Sequence, residues 1–155
     1  VITPGLGFMY NGCMGVFDPR PGRTGSVAPG KSRFSSLCPT IVFNLDKPRI
    51  VLGAPGGTQI AMGVLQALLN VIDFGMSMSD AVAAPRFSST SNLIDIMNRI
   101  PQYSVEPLLK QGYEVIRSPL SFGIAGVHGI EITDKGLKGG ADPGMDGMAL
   151  SVIQP

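Results

Sequence analysis

Two consecutive glycines stand where a hydrophobic strand is expected to give way to a helix, in the stretch LGAPGGTQI at residues 52–60. Gly56 and Gly57 follow Pro55, and glycine is favoured where the backbone needs a positive φ or where a ligand must approach bare N–H groups. The amides at the start of a helix have no partner within it and lie at the positive end of its dipole. The turn is therefore suited to bind a carboxylate, a phosphate or a developing oxyanion.

The glycine turn does not identify a function by itself. It lacks the Gly-x-Gly-x-x-Gly spacing of the dinucleotide-binding fingerprint, and no Lys-Ser/Thr pair follows the glycines as in a phosphate-binding loop. A tight strand-to-helix turn that needs glycine only for packing is the simpler interpretation at this point. Other residues must decide between the two.

Composition and charge exclude several classes of protein. The chain has 155 residues with 44% hydrophobic content, so we expect residues 1–155 to form a single domain with a substantial core. Its net charge of +1 and charged fraction of 15% give no basic stripe, and nucleic acid is not an expected partner. No apolar run is long enough to span a bilayer, and no signal-peptide pattern is present.

The cysteine and histidine content disfavours metal and triad chemistry. The spacing of Cys13 and Cys38 fits no zinc or redox motif, and two small buried residues are favoured over a disulfide. His128 is the only histidine, so a histidine-based metal site is not expected, and a Ser-His-Asp triad would have to use this one imidazole. We expect neither a metal nor a cofactor.

The elements that must position the glycine turn form an α+β pattern, with helices grouped in the middle of the chain. A hairpin is predicted from strands 40–44 and 49–54. The helix after the turn is predicted over residues 58–73, capped by Thr58 and buried on several sides. The other predicted elements are short strands within 6–17, a helix from Ser79 to Ala84, a strand at 93–96, a helix from Ser104 to Gln111, and strands at 113–117, 127–133 and 148–153.

Four blocks of sequence, residues 31–42, 53–57, 70–76 and 84–87, form a pattern that is more specific than any one of them. In this order and spacing they resemble the small subunit of gamma-glutamyltranspeptidases. That family carries an Arg-Pro-Leu-Ser-Ser-Met-Ser-Pro-Thr block, a Pro-Gly-Gly turn, an Asn-x-Ile-Asp helix end and an Ala-Pro-Arg-Phe stop. The resemblance covers nearly the whole chain.

The resemblance implies an N-terminal-nucleophile hydrolase with a four-layer αββα sandwich. In this family a precursor cleaves itself, and the new N-terminal Thr of the small subunit attacks a gamma-glutamyl amide such as glutathione. The acyl group then passes to water or to an amine. The free α-amine of that Thr can activate its own hydroxyl, so no histidine is required. The implied partners are the large subunit of the same precursor and a gamma-glutamyl or other acyl amide, and the implied location is periplasmic or secreted.

The resemblance also assigns roles to single residues. Gly56 and Gly57 match the glycines of the oxyanion hole. Ser35 and Ser36 match the serines that hold the α-carboxylate of the substrate, although a hydroxyl pair that satisfies a turn before the next strand is an alternative. Arg86, in the Ala-Pro-Arg-Phe block, is expected to be structural.

Two departures from the family bear on the expected function. The nucleophilic Thr has no match here, so we expect the chain to be a fragment of a small subunit and inactive by itself. Where the family uses Gln and Asp to grip the α-amino group of the substrate, this chain carries Cys13 and Val16, which cannot form an ion pair with an ammonium. The α-amine of a gamma-glutamyl substrate should therefore be poorly recognised unless another carboxylate, such as Asp18, replaces the missing one.

Two alternatives therefore stay open. One is an acylase for glutaryl or other acidic acyl amides, similar to cephalosporin acylases. The other is a non-catalytic binding or assembly module that retains the fold.

Overall fold

A computed structural model describes residues 3–89 and 92–152. Its internal contacts divide the chain into two compact units, Val1–Ser35 and Ser36–Pro155. A single domain over residues 1–155 stays a prediction.

The first unit has little regular structure in its described residues. A short 3₁₀ helix spans Cys13–Val16, and Asp18 forms an isolated bridge with Ser26. The strands predicted within residues 6–17 are wrong. Gly5 and Gly7 have φ angles of 87° and 70°, so the backbone turns where an extended strand was expected.

In its described residues the second unit contains two sheets and three α-helices, which confirms the α+β class. The strands are β1 (Thr40–Asn44), β2 (Lys47–Gly53), β3 (Phe87–Ser88), β4 (Ile94–Ile96), β5 (Val115–Arg117), β6 (His128–Thr133) and β7 (Gly136–Ala141). The main sheet has the order β1-β2-β6-β7 with antiparallel neighbours. In the smaller sheet, β4 pairs antiparallel with β3 and parallel with β5.

The predicted β1–β2 hairpin is confirmed. Thr40 pairs with Leu52, and Asn44 pairs with Lys47 across a two-residue turn. Leu45 in that turn has a φ of 53°, the left-handed conformation that short hairpin turns require. β2 starts earlier than predicted and includes Pro48, and the register shifts between Val42 and Phe43, opposite this proline.

The helices are α1 (Ile60–Ile72), α2 (Met78–Ala83) and α3 (Gln102–Lys110). The predicted caps are wrong. Thr58 lies inside a 3₁₀ turn, Gly57–Gln59, that precedes α1. Ser77, not Ser79, caps α2 and accepts a hydrogen bond of 3.1 Å from the Asp80 amide. Ser104 lies within α3, because the helix already begins at Gln102, directly after the N-cap Pro101.

The core lies between the main sheet and the helices α1 and α2. Ile60, Val64, Ala67 and Val71 form the buried stripe of α1 and pack with the inward residues of β2. The prediction that α1 is buried on several sides is wrong for this chain, since Leu65 is 47% exposed.

The opposite face of the main sheet is apolar and uncovered over much of its area. Ile41, Val51 and Ile130 stand in one row across three strands and are all exposed. Gly139 completes the row on β7. An open groove of about 1060 Å³ follows this face and is bordered by residues 148–152.

The end of the chain differs from prediction in two ways. Residues 148–152 form no strand, and residue 153 of that predicted strand lies outside the described residues. The strand β7 was not predicted because its sequence, GLKGGA, is rich in glycine. Those glycines serve packing, since a Cβ on Gly140 would lie 2.7 Å from the carbonyl oxygen of Met78 in α2.

Candidate active site

The glycine turn lies between the end of β2 and the start of α1. Gly56 has a φ of 143° and Gly57 a φ of 59°, conformations that side chains of L-residues rarely adopt. Within the described part of the chain, neither amide donates a hydrogen bond to a protein acceptor. The turn therefore presents free N–H groups at the positive end of a 13-residue helix.

The two glycines are required for different reasons. A Cβ on Gly56 would lie 2.8 Å from the Cα of Ala125, so packing alone excludes a side chain there. A Cβ on Gly57 would meet nothing within 4 Å. The packing interpretation therefore accounts for Gly56, whereas the space beside Gly57 is open to a ligand.

The turn is held by the buried segment from Ile124 to Val127. The Gly126 amide donates to the Pro55 carbonyl at 3.1 Å, and Ala125 lies against both Gly56 and Gly63 of α1. A Cβ on Gly63 would approach the Cβ of Ala125 to 2.6 Å. Small residues on each side thus fix the distance between this segment, the turn and the helix.

Arg86 anchors the segment from Ile124 to Val127 by hydrogen bonds to its carbonyls. Its side chain is 1% exposed, and its Nε and Nη2 atoms donate to the carbonyls of Ile124 and Ala125 at 3.1 and 2.8 Å. Its Nη1 atom donates to the carbonyl of Val82 at 2.6 Å, near the end of α2. Arg86 is thus structural, as expected, and its contacts reach the backbone that supports the glycine turn.

Asp142 supplies the counter-charge. It is 2% exposed and forms an ion pair with Nη2 of Arg86, while its Oδ1 atom accepts a hydrogen bond of 2.8 Å from the Gly144 amide. Sequence reasoning missed Asp142 because it follows Arg86 by 56 residues and belongs to no motif. An acidic residue directly after the apolar and glycine-rich strand β7 was the only available signal.

The serine pair straddles the boundary between the two units. Ser35 is the last residue of the first unit and is exposed, and Ser36 is the first residue of the second and is half-buried. Ser36 precedes Thr40 by four residues, and Gly56 follows Leu52 by four residues. Because Thr40 pairs with Leu52, Ser36 and Gly56 both extend from the same end of the hairpin.

Cys13 and Val16 are the two ends of the 3₁₀ helix in the first unit. Cys13 and Cys38 are free thiols and half-buried, so the expectation that they are buried is wrong. Val16 is 37% exposed and lines a cavity of about 340 Å³ together with Phe17, Thr24, Gly25, Ser32, Arg33 and Phe34.

Asp18 cannot readily replace the carboxylate that the family has at the position of Val16. Both of its oxygens are engaged by Arg20, whose Nε and Nη2 atoms lie 2.9 and 2.8 Å away. The Arg20 side chain, followed by its amide, lowers the pKa of Asp18, so this carboxylate is ionised and already paired. The carboxylate named as a possible replacement is therefore paired with another cation.

The described residues contain no cluster of three or more His, Cys, Asp or Glu side chains that could hold a metal ion. None of the described helices is long and apolar enough to cross a membrane. His128 is half-buried in β6 and borders the groove on the exposed sheet face.

Comparisons with known proteins match nearly the whole length of the chain. The family model described as gamma-glutamyltranspeptidase matches residues 1–152. The acylase ACY 1 proenzyme of Pseudomonas sp. (strain V22) is 38% identical over 91% of this chain and 25% of its own length. The glutathione hydrolase proenzyme of Bacillus subtilis (strain 168) is 31% identical over 98% of this chain and 26% of its own length. The chain thus spans about a quarter of these relatives.

A solved structure agrees with the sequence matches. Gamma-glutamyltranspeptidase from Pseudomonas nitroreducens, complexed with L-DON, superposes with a TM-score of 0.82 at 27% identity. The superposition covers 99% of this chain and 86% of that one.

The ion pair between Arg86 and Asp142 yields a stability prediction. In Asp142→Asn the guanidinium stays buried without its counter-charge, while the side-chain oxygen that accepts from Gly144 is retained. We expect a loss of about 3–5 kcal/mol, which lowers the thermal midpoint of a domain of this size by roughly 10 °C. Arg20→Gln, which breaks the exposed pair with Asp18, serves as the control and should leave the midpoint unchanged. Equal midpoints for Asp142→Asn and wild type would show that the pair is not an anchor.

Proposed function

The chain belongs to the gamma-glutamyltranspeptidase family, and on that premise we propose that it forms part of an enzyme that hydrolyses or transfers gamma-glutamyl or related acyl groups. The observation that carries this proposal is the turn at Gly56 and Gly57, with its unpaired amides beside open space. A turn that served packing alone would not require these donors to be free.

The proposed mechanism is acyl transfer through a covalent intermediate. A threonine of the complete protein, outside this chain, attacks the carbonyl carbon of the amide, and its own α-amine accepts the hydroxyl proton. Negative charge then develops on the carbonyl oxygen. The N–H groups of Gly56 and Gly57 donate to that oxygen, and the amine of the leaving group departs with a proton. Water or a second amine releases the acyl group.

Ser35 and Ser36 are proposed to hold the carboxylate at the far end of the acyl group. Their hydroxyls can donate to carboxylate oxygens, and Ser36 extends from the same end of the β1–β2 hairpin as the glycine turn. This placement suits a short acyl chain with its carbonyl at the glycines and its head group at the serines.

Cys13 and Val16 are proposed to line the head-group site, where they favour an acyl group without an α-amine. A buried ammonium without a charged partner costs several kcal/mol, and Asp18 is already paired with Arg20. This observation supports the second candidate function, an acylase for glutaryl or similar amides. The relative named acylase ACY 1 proenzyme is consistent with it.

The large subunit of the same precursor is proposed to cover the exposed face of the main sheet. The row of Ile41, Val51 and Ile130 is apolar and lies beside the long groove. Burial of such a row typically accompanies a permanent interface. Hydrogen exchange of the mature enzyme should show protection of the β1 and β6 amides relative to this chain alone. Equal exchange would place the subunit elsewhere.

The glycine turn gives a prediction about catalysis. In Gly57→Ala the new methyl group occupies the open space beside the donors, so the variant should fold. We expect kcat of the mature enzyme to fall by about tenfold or more with a small change in KM, because the donors act on charge that develops in the transition state. Steady-state kinetics with gamma-glutamyl and glutaryl p-nitroanilides measure both parameters.

A matched control separates catalysis from backbone strain. Gly75 has a φ of 64°, and a Cβ there would also meet nothing within 4 Å, but it lies beyond the other end of α1. Gly75→Ala therefore carries the same strain, of roughly 1–2 kcal/mol, without reaching the turn. A loss confined to KM, or an equal loss of kcat in both variants, would contradict the proposed oxyanion hole.

Val16 gives a prediction about substrate choice. We expect the unmodified enzyme to cleave a glutaryl amide within about tenfold of the matching gamma-glutamyl amide, a gap of about 1.4 kcal/mol or less. Val16→Asp should shift the ratio towards the gamma-glutamyl amide, since the new carboxylate pairs with the α-ammonium. Val27→Asp, an exposed valine of the same unit, should leave the ratio unchanged. A preference of a thousandfold or more for the gamma-glutamyl amide in the unmodified enzyme would refute this assignment.

A further inference from the structure

The strand order of the main sheet places Ser36 and Met145 on opposite sides of the glycine turn. β2 lies between β1 and β6, and β7 follows β6. Because neighbours are antiparallel, the start of β1, the end of β2, the start of β6 and the end of β7 meet at one edge. Ser36 precedes β1, the glycine turn follows β2, and Met145 follows β7. Ser36 is therefore on the β1 side of the turn, and Met145 is on the β6 and β7 side.

The side chain of Met145 packs on the backbone next to the glycine turn. A Cβ on Gly126 would lie 2.7 Å from the Cε atom and 3.1 Å from the Sδ atom of Met145. The Gly126 amide donates to the carbonyl of Pro55, the residue before Gly56. Met145 is still 42% exposed. An apolar side chain thus lies beside the turn and stays accessible to a ligand.

The ion pair that holds the glycine turn also fixes the position of Met145. Residues 142–145 form a β-turn in which the Met145 amide donates to the Asp142 carbonyl at 3.1 Å. Asp at the first position and Pro at the second are typical of such turns. Asp142 pairs with Arg86, which also donates to the carbonyl of Ala125. One buried pair therefore holds both Met145 and the backbone that supports the glycine turn.

The planar geometry of an amide directs its two halves to opposite sides of the glycine turn. Its carbonyl carbon carries the acyl chain on one side of the C=O bond and the amine nitrogen on the other. When the carbonyl oxygen accepts from Gly56 and Gly57 and the acyl chain extends towards Ser36, the amine extends towards Met145. Methionine is flexible and polarizable, and it makes favourable contacts with apolar and aromatic groups.

We propose that Met145 contacts the substituent on the amine of the substrate and so favours amides of amines that carry an apolar or aromatic group. This inference rests on the proposed acyl-transfer function. An amine that accepts the acyl group meets the same side chain, because its attack on the acyl-enzyme is the reverse of the departure of the first amine. Met145 selects the amine and takes no part in bond cleavage.

The test compares two amides that share one acyl group and differ only in the amine. They are the amides of butylamine and of 2-methoxyethylamine, which match in chain length and differ in polarity. The acyl group is whichever of glutaryl and gamma-glutamyl the mature enzyme cleaves faster. For Met145→Ser, kcat/KM for the butyl amide should fall about tenfold or more, and the value for the methoxyethyl amide should change less than about threefold. Met145→Leu should retain most of the preference, because leucine restores the apolar contact.

Met76 provides the matched control. It is 39% exposed, close to the value for Met145, and it follows the far end of α1. Met76→Ser should leave kcat/KM for both amides within about threefold of wild type. An equal loss on both amides in Met145→Ser would show that Met145 only packs on Gly126, and it would overturn the proposal. An unchanged value for the butyl amide, or the same change of preference in Met76→Ser, would also overturn it.

A binding measurement keeps this proposal distinct from the proposed function. If the mature enzyme cleaves neither amide, the acyl-transfer function fails, and titration with aniline then decides the role of Met145. The titration is followed by NMR through the methyl signals of labelled methionines. A shift of the Met145 signal, which is assigned by its loss in Met145→Leu, without a shift of the Met76 signal supports the amine site. Shifts of both signals, or of neither, overturn it.

Discussion

The ion pair between Arg86 and Asp142 is the interaction on which the candidate site depends. A single guanidinium joins the end of α2 to the segment that carries Ala125, and Ala125 in turn sets the position of Gly56. The segment around Ala125 is irregular and buried, and the Val82 carbonyl lies in the last turn of α2, so these carbonyls lack partners from regular secondary structure. Arginine satisfies several of them at once because its donors radiate in one plane. Asp142 then neutralises the buried positive charge of the Arg86 guanidinium.

The hydrogen-bond geometry of Arg86 makes this anchor specific for one arrangement of the neighbouring backbone. An apolar core residue at position 86 would tolerate small shifts of its neighbours, whereas the guanidinium requires each carbonyl at hydrogen-bond distance. Ala125 adopts a left-handed φ of 44°, which is unfavourable for alanine, and its carbonyl accepts from Arg86. The network thus maintains a strained backbone conformation directly beside the turn that presents the amide donors.

Local sequence patterns predicted the parts of this fold that local physics determines. The β1–β2 hairpin and the helix after the glycine turn follow from hydrophobic runs broken by turn residues, and both are present. The caps were misplaced because only the backbone geometry decides where a helix begins, as between Ser77 and Ser79 at the start of α2. β7 and the pairing of Arg86 with Asp142 depend on contacts distant in sequence, which no periodicity reveals. Of the site, the glycine turn was visible from the sequence, whereas the paired state of Asp18 required its hydrogen bonds.

In the proposed function, backbone groups stabilise the oxyanion and side chains recognise the head group of the substrate. This separation bears on how substrate preference can change. The donors at Gly56 and Gly57 are main-chain groups, so substitutions elsewhere leave their chemistry intact as long as the Arg86 network holds the turn. We propose that head-group recognition instead falls to side chains of the first unit, where Val16 lines a cavity. A change at this position would alter the charge offered to the substrate without changing the chemistry of the backbone donors. One scaffold can therefore retain the same bond-breaking step while its preferred acyl group changes, as expected of a family whose members are named both as glutathione hydrolases and as acylases.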